Sequence, residues 1–590
     1  MNNIDLAKLT LTQGLKILGG YPYDHTGISV SSAGDLNNDG IDDFIIGADW
    51  SDPDGRNKAG SVFVIYGSKS FPAYIDLARL SPEHGFMISG VADEDYTGFS
   101  VNSAGDVNHD GINDIIIGAE GADTAGGVDA GAVYIIFGSN SPFENIDLAD
   151  LSSKRGFALY GIAAGDYTGV SVSGVGDINN DGIDDFIIGA HFADPYDRTD
   201  AGVAYVVFGS DKPFVDIDLA RLALTKQGFK ISGGSPYDHA GRSVSGAGDI
   251  NHDGIDDLII GAFNASYAGR ISAGVVCGIY GSNATFTDID LANLTFAQGF
   301  KGYGNAGDHV GTSISGIGDI NNDGIDDFIV SAREASPFGI YHAGAAYVKY
   351  GSKTISANID LANMTLTQGF AIFGCNIHEY AGFSVSKAGD VNNDGINDII
   401  VGVIYASPAG RYRAGASYVI YGSNYPTDVD LCNLPPERGF MISGGAVDEI
   451  ACIVSSAGDV NHDGINDLII GAYWAKPAGR AEAGAAYIFF GSSTPISEPA
   501  PTSAPAIVES PTSSPAIALA HLPVESSTST IITQPTMVTS STAMGAVTLG
   551  AVSTLATMAF LYHNNMCCFK SHTSTIEDIG LMGITVDHND

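Results

Sequence analysis

Positive charge is scarce in this chain. Its 590 residues hold 26 Lys and Arg against 68 Asp and Glu, a formal net charge of −42. That balance excludes the basic footprint of a nucleic-acid-binding protein and a polybasic membrane patch. Cysteine is scarce too: there are six, with no CxxC pair and no disulfide-framework spacing. Cys277, Cys375, Cys432 and Cys452 are scattered through strand-like sequence and read as buried free thiols. Amphipathic helical periodicity over three turns is missing. The start, "MNNIDLAKLT", lacks the basic end and apolar run of a secretory signal. It fits export by another route, a start further upstream, or residence inside the cell.

What is present is repetition. The stretch "GDLNNDGIDDFIIG", Gly34 to Gly47, recurs six more times. Its first aspartates are Asp35, Asp106, Asp177, Asp249, Asp319, Asp390 and Asp459, at intervals of 71, 71, 72, 70, 71 and 69 residues. A fixed period of that size marks one modular architecture. Each unit runs through an "IDLAxL" segment (Ile75 to Leu80, Ile217 to Leu222), a "GFxIxG" run, "SVSxxGD", the acidic loop, "DxIIGA" and a run such as "AGVAYVVFGS". The runs are short, β-branched and aromatic, and Gly, Asn, Asp or Ser bound them. They read as about four strands per unit, with "IDLAKL" as a connection.

Seven four-stranded units predict an all-β fold, a seven-bladed β-propeller over residues 1–492, since radial blades leave few exposed edges. The small residues of "SVSGVGD", Ser171 to Asp177, suit the narrow innermost strand, and the aromatics of Ala204 to Gly209 suit packing between blades. The chain opens with material that precedes each loop, and the seventh unit ends at "GAAYIFFGSS". A strand around Leu15 to Gly19 is therefore expected to pair with Ala485 to Phe490, so that the N-terminus completes the last blade.

Numbered from its first aspartate, each loop carries oxygen-bearing side chains at positions 1, 3, 5 and 9. Glycine at position 6 lets the backbone turn sharply, so the position-7 carbonyl can point inward. The five candidate ligands of the first loop are Asp35, Asn37, Asp39, Ile41 (through its carbonyl) and Asp43. The second loop offers Asp106, Asn108, Asp110, Ile112 and Asp114, and the third Asp177, Asn179, Asp181, Ile183 and Asp185. The fourth offers Asp249, Asn251, Asp253, Ile255 and Asp257, and the fifth Asp319, Asn321, Asp323, Ile325 and Asp327. The sixth offers Asp390, Asn392, Asp394, Ile396 and Asp398, and the seventh Asp459, Asn461, Asp463, Ile465 and Asp467.

These are hard oxygen donors. They suit Ca²⁺, which takes six to eight oxygens at roughly 2.3–2.6 Å, better than the stricter octahedron of Mg²⁺. Zn²⁺ would call for Cys or His. An EF-hand closes with Glu at position 12 between helices; here position 9 closes the frame and strands flank it. Seven dications would bring the formal charge from −42 to −28. The alternative is a solvated acidic turn without metal.

Position 4 is Asn or His (Asn38, His109, Asn180, His252, Asn322, Asn393, His462), interchangeable and so expected to face solvent. Position 8, Asp or Asn, is expected to face out as well. Eleven residues before each loop stands Asp24, Asp95, Asp166, Asp238, Asp308, Glu379 or Asp448, expected to bond the neighbouring turn, with support of the metal ligands from behind as the alternative.

The pattern "GxSVSxxGDxNxDGxxDxIIGA" resembles the FG-GAP repeat of integrin α-subunit β-propellers over about residues 1–492. The resemblance implies structural calcium at the hairpin loops, on the face opposite the usual ligand-binding face. In integrins only some blades carry the loop; here all seven do, as in many bacterial FG-GAP proteins. Ala451 stands where the other units have Gly, which questions the turn geometry there. No inserted adhesion domain or leg domain follows the integrin pattern.

Composition changes after the propeller. Residues 493–542 are rich in Pro, Ser and Thr and read as a disordered stalk. Residues 543–562, "AMGAVTLGAVSTLATMAFLY", are uncharged and long enough for one transmembrane helix; a cleaved or buried segment is the alternative. Lys570 beyond the span, with no Lys or Arg in the stalk, makes 563–590 a short cytoplasmic tail. Cys567 and Cys568 sit where palmitoylation occurs. Sequons at Asn264, Asn283, Asn293 and Asn363 suit an extracellular glycoprotein.

The order of parts predicts a calcium-binding, membrane-anchored adhesion or ligand-recognition propeller, not an enzyme. Its protein or glycan ligand would use the face opposite the calcium loops, around Ala48 to Gly60 and His191 to Gly202, with a partner subunit left open. The alternatives are a lectin-like propeller and a hydrolase or lyase with a central-channel site. Arg333, Glu334 and His342 are unusual polar residues of the fifth unit that match no recognisable site.

Overall fold

The computed structural model describes residues 3–493. The stalk, membrane span and tail expected over 493–590 lie outside those residues, save Ser493 itself. Within them no helix is long and apolar enough to cross a membrane.

Seven sheets form the seven blades. Blade 1 runs from an inner strand Val30–Gly34 through Asp43–Ala48 and Ser61–Ile65 to an outer strand Gly85–Ser89, all antiparallel. Blade 3 repeats this in Ser171–Gly176, Asp185–Ala190, Val203–Val207 and Gly228–Ser232. The second strand is buried at every residue, as its unbroken "DxIIGA" requires of a strand covered on both sides.

The expected count of four strands is corrected to five. In each sheet a short parallel strand lies along the outer strand. In blade 1 it is Ile146–Asp147, with Ile146 opposite Ile88. These are the "ID" pairs of "IDLAxL", reached when the chain of the next unit leaves its third strand. The segment is thus an edge cap, not a mere connection. In six of the seven caps its Asp accepts the N–H two residues on, as Asp76 does from Ala78 at 3.2 Å, and it opens a 3-10 turn whose Leu is buried. Capping covers the open edge of each blade and staples it to its neighbour.

The N-terminus closes the ring as expected, and serves two blades. Gly14–Leu18 pairs antiparallel with Ala485–Phe489 and becomes the outer strand of blade 7. Ile4–Asp5 caps blade 6 alongside Gly439–Ser443.

Apolar layers fill the gaps between blades. The phenylalanine that opens the outer strand is fully buried, as at Phe86, Phe157 and Phe229. Each stacks on a ring from the segment approaching the cap: Phe86 on Phe143, Phe157 on Phe214 and Phe229 on Phe286, with centroids 4.3–4.5 Å apart and planes within 3°. Near the axis the taper demands small residues. A Cβ added at Gly246 would lie 2.9 Å from the Gly174 carbonyl of the neighbouring inner strand.

Five caps are clamped by charge. Arg198 grips Asp290 with two hydrogen bonds of 2.6 and 2.9 Å, and Arg480 grips Asp76 with two of 2.7 Å. Arg56–Asp147, Arg270–Asp360 and Arg411–Asp5 repeat the device. Blade 5 has Ile340 at the arginine position. There Cys375, beyond the outer strand, forms a disulfide with Cys432 of the cap, with Cα atoms 5.1 Å apart. Reading all four cysteines as free thiols is thereby corrected: among the described residues Cys277 and Cys452 are free and buried.

Candidate metal centres on one rim of the ring

The seven acidic loops join inner and second strands, so all lie on one face. Glycine at position 6 takes the left-handed conformation, with φ +87° at Gly40 and +90° at Gly182. Position 4 does so too (Asn38 +56°, His252 +60°) and is exposed in every copy, as expected. Asn tolerates that backbone better than most residues, which accounts for its frequency there.

Each loop is knit around its carboxylates. In the first, Asp35 accepts the N–H groups of Asp39 and Gly40 at 2.9 and 2.8 Å, and Asp39 accepts that of Ile41 at 3.0 Å. Asp43 is fully buried and accepts from Leu36 at 3.1 Å and from Gly67 at 2.9 Å. The same bonds recur through the hairpins. The structure therefore brings positions 1, 3, 5, 7 and 9 of every copy into one turn.

The donors fit a hard dication. Every donor in the set is an oxygen, and some of the side-chain oxygens lack a partner. The Oδ1 atoms of Asn37, Asn321, Asn392 and Asn461 are buried without a hydrogen bond, and Asn321 is 8% exposed as a residue. In the fourth hairpin the Oδ2 of Asp257 is also buried and unpartnered. Burial pushes the Asp43 carboxyl up to about 8, and the charges of Asp39 and Asp35 push the same way. Asp114, Asp185, Asp257, Asp327 and Asp467 are likewise raised to about 8, and burial raises Asp398 well above its ordinary value. A cation held at the hairpin would offset the cost of burying the position-9 carboxylate beside two further acids.

Position 8 corrects its expectation. It reaches sideways into the preceding hairpin instead of facing out. Asp184 accepts the N–H of Asp106 at 2.8 Å, Asp256 that of Asp177 at 3.0 Å, and Asp326 that of Asp249 at 3.0 Å. Asp42 closes the belt on Asp459 at 2.8 Å.

The acids eleven residues before the loops bond their own turns on the opposite face, as expected. Asp24 accepts from Tyr21 at 2.7 Å, and Asp95, Asp166, Asp238 and Asp308 act alike. Among the described residues Glu379 has no such bond. In the seventh unit Glu449, not Asp448, takes the role, accepting from Ala446 at 2.6 Å. One residue is missing there. Cys452, not Ala451, meets Gly402 where Gly98 meets Gly47, and its backbone is not left-handed.

The arginine clamps, the disulfide and the position-8 belt were not read from the sequence. A signal for the first exists: an Arg four residues before the Gly of the "AG" that precedes the third strand, as in "PYDRTDAG".

A closed seven-bladed propeller with acid hairpins on one rim is the class that fold and site define. Residues 26–65, 98–136, 168–207, 240–273, 381–420 and 454–489 match the FG-GAP repeat, and fall on blades 1, 2, 3, 4, 6 and 7. Blade 5, Ile314–Phe373, completes the ring by geometry. The chain is an FG-GAP repeat β-propeller resembling integrin α subunits. It is 30% identical over 252 residues to integrin alpha pat-2 of Caenorhabditis elegans, covering 41% of this chain and 18% of that one. It is 32% identical over 189 residues to human integrin alpha-6, covering 32% and 14%. It is 29% identical over 231 residues to bovine phosphatidylinositol-glycan-specific phospholipase D, covering 39% and 25%. The chain thus spans a quarter or less of the length of these relatives.

Proposed function

We propose that the chain is a calcium-stabilised, membrane-anchored recognition propeller that serves cell adhesion or extracellular ligand binding without catalysis. Calcium would be held at each hairpin by positions 1, 3, 5, 7 and 9. It would supply charge neutralisation there, and the hairpin residues themselves fix the turn and link neighbouring blades. The observation that carries this reading is the sevenfold repetition of one oxygen frame, with buried Asn oxygens that lack protein partners. The opposite face, built from loops that differ between units, is left for a protein ligand or a partner subunit, a reading the integrin α relatives support. The sequence of residues 543–562 supports the anchor. Cells displaying the full chain are expected to adhere to a ligand-coated surface in calcium and to release on chelation. Adhesion equal to that of cells without the chain would overturn the reading.

The phospholipase D relatives favour a second reading, an enzyme. Release of a glycan-phosphatidylinositol-anchored protein by the purified full chain would establish it and displace the first.

A further inference from the structure

The face opposite the hairpins is electrically lopsided. Each inner strand opens there with one residue after a left-handed glycine: Ile28, Phe99, Val170, Arg242, Thr312 and Phe383 in blades 1 to 6. Beside them stand the residues that leave the second strands. On blades 6, 7 and 1 Ile28, Phe383, Ile404, Tyr473 and Trp474 form one apolar cluster at this mouth, and the buried acids Asp49 and Glu120 leave the second strands of blades 1 and 2.

On blades 3 to 5 it carries imidazoles and two guanidiniums, and burial lowers the pKa of His191, His239 and Arg333. His191 and His239 have ring centroids 6.1 Å apart, and Phe263 lies 5.3 Å from His239 and 6.1 Å from His309. The Arg333 guanidinium reaches to 5.9 Å from the Phe383 ring, where the basic arc meets the apolar cluster. Arg242 lies within the arc. Its N–H donates to the His239 carbonyl at 3.3 Å, and its charge bears on His191, His239 and Arg333.

Some nitrogens of these groups lack a hydrogen-bond partner. The Nδ1 atoms of His191, His239 and His309 and the Nε of Arg333 are buried without hydrogen bonds, and His191 is only 8% exposed. Among the described residues Arg242 enters no ion pair. The carboxylates nearby are Glu334, 3.6 Å from His309 and 3.8 Å from Arg333, and Asp200 beside His239. A chain with 68 acids and 26 bases has gathered two guanidiniums and three imidazoles around two carboxylates. The unsatisfied Nε–H of Arg333 is a buried donor, with a desolvation cost that an acceptor would relieve. Arg supplies the planar fork that suits carboxylate, sulfate or phosphate.

We propose that this arc is an anion-binding site, and that its ligand is an amphipathic organic anion: an acid group on Arg242 and Arg333, and an apolar body on the Phe383–Tyr473–Trp474 patch. The same two guanidiniums disfavour a cationic ligand at this mouth. The inference rests on the reading of this face as the ligand face and names the chemistry it selects.

The test is calorimetry on the full chain in calcium, with phenylacetate, phenyl phosphate and inorganic sulfate as probes and benzylamine as the cationic control. The two aromatic anions are expected to bind at one site, at least tenfold tighter than sulfate, and to be displaced by excess sulfate. Which of the two binds tighter identifies the acid group. Arg242→Gln is expected to weaken binding tenfold or more, while Arg79→Gln, on an exposed cap, leaves it unchanged. Should Arg242→Gln fail to fold, displacement by sulfate on the unaltered chain decides. No binding of the aromatic anions, equal binding to benzylamine, indifference to sulfate, or a folded Arg242→Gln variant that binds as well would overturn the proposal. Calcium-dependent adhesion that persists in such a result would leave the adhesion reading standing and sink only this inference.

Discussion

The Asp42 carboxylate accepts the backbone N–H of Asp459 at 2.8 Å, although 417 residues separate them. The bond joins the first acidic hairpin to the seventh. It is one of five junctions at which position 8 of one hairpin holds position 1 of the hairpin before it. The acidic hairpins and the closure of the ring are therefore linked, and what loosens one is expected to loosen the other.

Closure is tested at Leu15. This residue of the N-terminal strand is fully buried opposite Ile488. Leu15→Ala is expected to cost about 2–5 kcal/mol, the range for a large-to-small change in a packed core. Denaturant unfolding measures it. A change within about 0.5 kcal/mol, as at an exposed site, would mean the ring does not depend on this seam.

The clamps are tested at Arg480. Its two bonds hold the Asp76 carboxyl below its ordinary value, outweighing partial burial. The folded pKa is depressed, so the stabilisation is present above the unfolded value of about 3.9 and is lost as pH falls through the folded value. Arg480→Met is expected to cost about 1 kcal/mol at pH 7. The gap between variant and parent should close at pH 2–3. A gap that stays constant from pH 7 to pH 2.5 would show that the arginine acts by packing alone.

Blade 5 replaces that clamp with the Cys375–Cys432 disulfide, whose partners stand 57 residues apart. A loop of that length stabilises by about 4 kcal/mol in the chain-entropy model. A dithiol reductant is expected to lower the melting temperature of the parent and to leave a Cys375→Ser/Cys432→Ser variant unchanged. Equal shifts in both would place the effect elsewhere.

The sequence made the ring legible because period, strand length and turn residues all agreed, from "GFMIS" to "DIIIGA". The hairpin frame was legible for the same reason, being local and repeated seven times. The edge caps were missed because two-residue strands such as Ile146–Asp147 carry no periodicity of their own; only the neighbouring blade makes them strands. Position 8 was misplaced because Asp42 looks solvent-directed within its own loop, and its partner arrives from the other end of the chain. The pairing of Cys375 with Cys432 depends on that same cap geometry. The basic arc joins residues as distant as His191 and Arg333, ordinary singly, and acquires meaning only when the blades set them side by side.

The central claim is that the hairpins are oxygen cages for calcium which brace the wheel. Its most direct test is calorimetric titration of the chelator-stripped chain with calcium, followed by melting of the loaded and stripped forms. About seven equivalents of bound calcium and a higher melting temperature for the loaded form are predicted. An absence of binding, or a melt that ignores the chelator, would contradict the account.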